Sequence, residues 1–190
     1  MLSYHRAACL GLVAVGLLSC TGLRTINYGQ PYQPTSARSF LGWAASAGPV
    51  LLEVRDNPFP VPPPVVASTI ATAAFGVIPG IPARFTADPA EAGRPEWRVV
   101  YDFNVAPSTS SAQICDPNVP ARRVATTDQL TALVVFCNET RPIIAAGAWS
   151  APIPGSESPL FRQFARHSMA TLFEPQFNGN GHDIPEFPAD

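Results

Sequence analysis

The chain has 190 residues and a formal net charge of −2, from 12 basic and 14 acidic side chains. A net charge so close to zero provides no strong field for attracting a polyanion, so we do not expect nucleic-acid binding. Every basic side chain is arginine, which excludes chemistry that needs a lysine amine, such as Schiff-base formation or the phosphate-binding lysine of a P-loop.

The first twenty residues have the pattern of an export signal. Arg6 precedes an apolar run over residues 7–18, which matches the hydrophobic region of a secretory signal and is too short to span a bilayer. The run ends in Leu17-Leu18-Ser19-Cys20. We therefore expect residues 1–19 to be a signal peptide that is removed, with an uncleaved anchor as the alternative.

Leu17-Leu18-Ser19-Cys20 resembles the lipobox of bacterial lipoproteins. The resemblance implies that Cys20 becomes the first residue of the mature chain and carries fatty acids such as palmitate. It implies a place in the cell envelope, and Thr21, at a position where Asp would retain a lipoprotein in the inner membrane, favours the periplasmic face of the outer membrane. Plain secretion without a lipid is the alternative. Several acyl chains would hold the protein stably, because each buried methylene contributes about 0.8 kcal/mol.

Composition divides the remaining chain into three parts. Residues 20–40 are rich in Gln, Pro, Tyr, Ser and Thr without helical or strand periodicity, which predicts a lipidated flexible tether. Residues 41–176 are long enough for a hydrophobic core and predict a single α+β domain. Residues 177–190 contain Asn-Gly-Asn-Gly and are expected to form a flexible C-terminal tail.

The first predicted elements of the domain are a strand over residues 49–55 and a helix over residues 65–75. The outer side of this helix carries only small, uncharged side chains and is therefore suited to packing against a second surface. Residues 83–87 and 97–105 both alternate apolar and polar side chains. We expect these two segments to pair as a hairpin, with one buried face and one largely solvated face.

Cysteine content predicts a disulfide. If Cys9 leaves with the leader and Cys20 is acylated, Cys115 and Cys137 remain as an even pair in an oxidising compartment. Cys115 lies in a long connection, residues 106–127, which such a bond would restrain. A reactive thiol beside a histidine is the alternative, and two cysteines without C-x-x-C spacing do not indicate zinc.

The last elements are a second hairpin, residues 130–137 with 143–149, and a helix that begins at Ser158-Pro159. The apolar first strand of this hairpin indicates a central position in the sheet. The whole order therefore predicts an α+β fold, an antiparallel sheet of about five strands with two helices packed on one face and one disulfide.

Residue patterns for catalysis are weak, and we assign no catalytic residue, metal ligand or cofactor. No Gly-x-Ser-x-Gly turn is present to hold a serine nucleophile. His167 is interpreted as a solvated helix residue and His182 as part of a polar tail. Three carboxylates fall on or beside predicted strands and are interpreted as solvated side chains with arginine partners, namely Glu53, Asp102 and Glu139. Arg122-Arg123 is interpreted as an ordinary loop charge.

The leading hypothesis is a membrane-anchored, non-catalytic binding or assembly module that takes another envelope protein or a small apolar ligand. One alternative is a small periplasmic hydrolase that uses carboxylates or His182 as acid and base. The other is a structural spacer in an envelope complex. The shape and lining of the largest pocket distinguish the two kinds of partner. A deep apolar cavity indicates a small ligand, and a flat apolar surface indicates a protein.

Overall fold

The structure is a computed structural model and describes residues 22–28, 34–124 and 128–174. Its elements in chain order are β1 (Arg24–Asn27), α1 (Pro34–Ala45), β2 (Val50–Arg55), α2 (Pro63–Ala74), β3 (Phe85–Thr86), β4 (Trp97–Phe103), α3 (Ser111–Cys115), β5 (Leu130–Asn138), β6 (Arg141–Ser150) and α4 (Pro159–Leu172). None of the helices in these ranges is long and apolar enough to cross a membrane. The predicted signal peptide (residues 1–19), Cys20 and the predicted tail (residues 177–190) lie outside the described residues.

The strands form one mixed sheet in the order β1-β6-β5-β4-β2-β3. The neighbouring strands β1, β6, β5 and β4 are antiparallel to one another, each to the next, whereas β2 runs parallel to both β4 and β3. The second predicted hairpin is confirmed as β5 and β6, with β5 inside the sheet. The α+β class is therefore confirmed, but the expectation of a purely antiparallel sheet of about five strands is wrong.

The predicted hairpin between residues 83–87 and 97–105 is also wrong, because β2 lies between the two strands. Val50 pairs with Phe85 on one side of β2, and Leu51 pairs with Arg98 on the other. The connection into β4 passes so close to the start of β2 that a Cβ on Gly93 would come within 2.4 Å of the Ala47 carbonyl carbon. Glycine permits this close approach, which no strand-pairing pattern in the sequence reveals.

One face of the sheet, called the first face here, is covered by three helices, α1, α2 and α4, so the expectation of two helices on one face is wrong. Their buried side chains share one hydrophobic core with the strands. The helix predicted from Ser158 is confirmed, since the Ser158 hydroxyl accepts a hydrogen bond from the Phe161 amide at 3.1 Å and Pro159 is the first helical residue. The core is rich in fully buried aromatic side chains: Tyr101, Phe103, Phe136, Phe161, Phe164 and Phe173.

The second face of the sheet is covered by α3. The expectation that one face of β4 is largely solvated is therefore wrong. Every residue of β4 is buried, including the polar Arg98 and Asp102. The reason is that the long connection after β4 folds back as α3, which begins with a capping box between Ser110 and Gln113. The predicted disulfide between Cys115 and Cys137 is present and joins α3 to β5 across this face.

The predicted flexible tether, residues 20–40, differs from the structure where it is described. Arg24–Asn27 is strand β1, paired with β6, and α1 begins at residue 34 and crosses the predicted domain boundary at residue 41. Ala37, Leu41 and Ala44 are buried on one side of α1. Two of these three side chains are small, and polar residues lie between them along the sequence. The apolar stripe of α1 is therefore too weak to indicate a helix from the sequence.

Candidate functional site

Two of the three candidate carboxylates lie on the second face of the sheet, each beside arginine. The carboxylate oxygens of Glu53 lie 3.0 Å from Arg55 Nη2 and 3.1 Å from Arg98 Nε. Arg98 is buried on β4, the strand next to β2. Glu53 is thus held by two cations and forms an ion-pair network with them.

The same two arginines hold the end of α3. Arg55 donates to the Ile114 carbonyl oxygen at 2.7 Å, and Arg98 donates to the Cys115 carbonyl oxygen at 2.8 Å. The last carbonyls of a helix lack partners within the helix and carry the negative end of its dipole, so cations stabilise them. Glu53, Arg55, Arg98 and the disulfide of Cys115 together fasten α3 to the sheet, and we call this group the α3 clamp.

Asp102 on β4 is held by Arg123, which the sequence indicated only as a loop charge. Arg123 donates to both carboxylate oxygens of Asp102 and to the Phe103 carbonyl oxygen at 3.0 Å. Burial raises the pKa of Asp102, while the hydrogen bond and charge of Arg123 and the charge of Arg55 oppose that rise. Residue 123 also forms a β-bridge with Val105, so the pair returns the long connection to the sheet.

Glu139 and His167 do not converge with these carboxylates. Glu139 lies at the β5–β6 turn, next to the Asn138–Trp97 end of the sheet, whereas Asp102 pairs with Leu133 further along. His167 is exposed on α4, and His182 lies outside the described residues. Over residues 22–28, 34–124 and 128–174, no three His, Cys, Asp or Glu side chains are grouped as a metal site.

Ser168, the neighbour of His167, points into the core instead. Its hydroxyl lies 2.9 Å from the Tyr101 hydroxyl and donates to the Ala165 carbonyl oxygen at 3.1 Å. Burial raises the pKa of Tyr101, and the bond to Ser168 opposes that rise. This pair is a buried polar contact between β4 and α4, which fixes the helix on the sheet.

The outer side of α2 is exposed and uncharged. No charged residue occurs in α2, and Val65 and Phe75 at its two ends are 42% and 61% exposed. Between them, Thr69 donates to the Val65 carbonyl oxygen at 3.2 Å and Thr72 donates to the Ser68 carbonyl oxygen at 2.9 Å. Both hydroxyls bond back to the helix, which reduces the polarity of the face, and the Thr69 hydroxyl also lies 3.2 Å from the carboxylate of Glu157, which precedes α4. The small, uncharged side chains that the sequence predicted for this side of the helix are present, but in the described residues they are exposed or half-buried and not covered. We call this side of the helix the α2 outer face.

A shallow groove lies where β1, the end of β6 and the start of α4 meet. It has a volume of about 50 Å³, whereas a typical ligand pocket holds roughly 300–1,000 Å³. The groove is thus too small to enclose a lipid-sized or drug-sized molecule. Its lining is Leu23, Ser150, Ala151, Pro152, Ile153, Leu160, Gln163 and Phe164. The sequence contained no signal for this groove, since its residues come from three separate segments.

Comparison with known proteins gives a distant structural likeness. No protein-family model matches the chain, and no curated protein matches it. Among solved structures, a dodecamer of a PelC variant from Paraburkholderia phytofirmans is similar over 80% of this chain and 95% of that chain, with 10% identity and a TM-score of 0.42. At this identity and score the likeness carries nothing about function or assembly.

Proposed function

We propose that this chain is a bacterial envelope lipoprotein, held on the periplasmic side of the outer membrane by fatty acids on Cys20. The apolar leader that ends in Leu17-Leu18-Ser19-Cys20 supports this proposal. The bond between Cys115 and Cys137 supports the compartment, because disulfides persist in the periplasm and are rare in the cytosol.

The folded domain acts as a non-catalytic module that binds another envelope protein. The observation that carries this part is the α2 outer face, an uncharged helix surface that ends in the 61% exposed Phe75. Exposed apolar surface of this kind is typical of protein contacts. A protein is favoured over a small apolar ligand because this surface is exposed and convex, and because the groove beside α4, at about 50 Å³, is several-fold smaller than the roughly 300 Å³ of a small ligand pocket.

Acylation is tested by growing cells with labelled palmitate. The native protein should carry label and stay with membranes, whereas Cys20→Ala should lose both. Cys9→Ala is the matched control, because Cys9 lies in the predicted leader and its loss should leave labelling unchanged. Membrane-bound, unlabelled native protein, or a Cys20→Ala protein with unchanged electrophoretic mobility, would overturn the proposal.

Partner binding is tested with a photo-activated cross-linking residue at position 75 in living cells. The position should give one adduct of defined mass that contains a second envelope polypeptide. The control position is Val119, which is 38% exposed on the connection that follows α3. If positions 75 and 119 give the same products, or neither gives any, the α2 outer face does not bind a protein.

A further inference from the structure

We infer that the groove between β1, β6 and α4 is a lipid-facing surface that rests in the membrane interface. Its apolar lining includes Leu23, Ile153 and Leu160. The inference rests on the proposed acylation of Cys20. It adds an orientation of the domain that the anchor alone does not specify.

The length of chain between the anchor and the groove carries the argument. Leu23 lines the groove and packs against the core, and β1 begins at the next residue. Only Thr21 and Gly22 separate Leu23 from Cys20, so the two Cα atoms lie at most about 11 Å apart. A tether of about twenty residues would span roughly 25 Å and leave the domain free to turn. With β1 in the sheet, the acylated end brings the groove to the bilayer surface.

The chemistry of the groove suits that position. Leu160 is 38% exposed, Leu23 and Ile153 are half-buried, and the lining contains no charged side chain. The transfer of apolar side chains from water to the boundary between headgroups and acyl chains is favourable in free energy. Both charge signs occur close by, since Arg162 donates to the Glu157 backbone oxygen and both side chains are exposed. A mixed rim of this kind fits a largely zwitterionic surface such as phosphatidylethanolamine.

The Phe75 end of the α2 outer face lies away from this surface. The Thr69 hydroxyl lies 3.2 Å from the Glu157 carboxylate, near the start of α4, and Arg166 further along α4 donates to the Ala73 carbonyl oxygen. The two helices therefore run side by side in the same direction, and Phe75 follows the far end of α2. The separation is across the sheet, because the groove lies beside β1 whereas α2 packs on β2 and β3. The strand order puts four strand spacings, about 19 Å, between β1 and β2.

The test adds a tryptophan either in the groove or at the end of the α2 outer face. Acylated full-length Leu160→Trp and Phe75→Trp proteins are reconstituted into phosphatidylethanolamine vesicles that contain some phosphatidylglycerol, with plain or brominated acyl chains. Both substitutions keep an exposed apolar residue. The emission that Leu160→Trp adds over the native protein should fall about twofold or more in brominated vesicles, as expected for a side chain that reaches the acyl boundary. The emission added by Phe75→Trp should not change.

Hydrogen exchange of the unsubstituted protein gives a second measurement. Two samples are compared, the acylated protein on vesicles and the Cys20→Ala protein in detergent-free solution. Amides in residues 22–28 and 151–164 should exchange more slowly in the vesicle sample, while α2 amides should exchange at the same rate in both. If the acylated protein floats with vesicles but Leu160→Trp is unquenched and exchange is unchanged, the groove faces water or a protein and the inference is overturned. If the protein carries no acyl chain, the proposed function itself fails.

Discussion

Arg123 donates hydrogen bonds to both oxygens of the buried Asp102, which lies 21 residues earlier in the chain. Arg123→Ala leaves this carboxylate buried without its cation. We expect the free energy of unfolding to fall by about 2 kcal/mol, below the range for fully buried pairs because the Arg123 side chain is 38% exposed. Urea unfolding measures the change. The neighbouring, exposed Arg122 is the control, and Arg122→Ala should cost less than about 0.5 kcal/mol.

The same pair predicts a pH dependence of stability. Burial raises the pKa of Asp102 above its ordinary 3.8, so the folded protein holds this proton more tightly than the unfolded chain does. The stabilisation that protonated Asp102 contributes is therefore fully present below the pKa of the unfolded chain. It is lost as the pH rises from that pKa through the higher pKa of the folded protein. The unfolding free energy of the native protein minus that of Asp102→Asn should fall over this window and then level off.

Removing Arg123 should move that window to higher pH. Arg123 lowers the pKa of Asp102 by its hydrogen bond and its charge, so Arg123→Ala should raise the pKa of Asp102 further. Carbon NMR of the Asp102 carboxyl group during a pH titration measures both values. A stability difference between the native protein and Asp102→Asn that stays constant with pH would contradict the assignment of this carboxyl as the titrating group.

The sequence predicts the local part of the surroundings of Asp102 but not the contacts that come from distant parts of the chain. The alternation in β4 correctly separates Tyr101 and Phe103 from Asp102, because period-two patterning is local. The partner of Asp102 comes from a connection without periodicity, so the sequence indicates Arg123 only as an ordinary surface charge. A solvated second face is expected from the sequence because nothing local shows that α3 folds back over it.

The N-terminal part shows a second limit of sequence patterns. Residues 24–27 form a strand that pairs with β6, and the pairing of Thr25 with Ala148 spans most of the domain. The candidate groove arises from the same pairing, which brings Leu23 beside Ile153 and Leu160. The pairing of Cys115 and Cys137, in contrast, is predictable, because cysteine parity together with the predicted export requires no knowledge of the fold.

The disulfide should stabilise the domain by restraining the unfolded chain. Cys115 and Cys137 close a loop with a sequence separation of 22, which the chain-entropy model values at about 3 kcal/mol. In the soluble Cys20→Ser protein, replacing both cysteines by serine should lower the free energy of unfolding by about that amount. Exchange of α3 amides should also rise, because the α3 clamp then depends on Arg55 and Arg98 alone.

Alkylation before and after reduction provides the control for this prediction. Cys115 and Cys137 should resist alkylation in the unreduced soluble protein after unfolding, and both should react once a reductant is added. If both react without reductant, the cysteines are free thiols. The expected loss of stability in the double serine variant would then have to come from packing, since both side chains are buried.

The Tyr101–Ser168 contact gives a prediction that separates two adjacent residues of α4. Ser168→Ala removes the hydroxyl 2.9 Å from the buried Tyr101 hydroxyl, which keeps only the Ala165 carbonyl oxygen at 3.3 Å. We expect a loss of about 1–2 kcal/mol in unfolding free energy, because a buried polar group with a poorer partner retains part of its desolvation cost. His167→Ala is the matched control, since His167 is exposed, and it should change stability by less than about 0.5 kcal/mol. Equal effects of the two substitutions in urea unfolding would contradict the buried position of Ser168 and the orientation of α4 on the sheet.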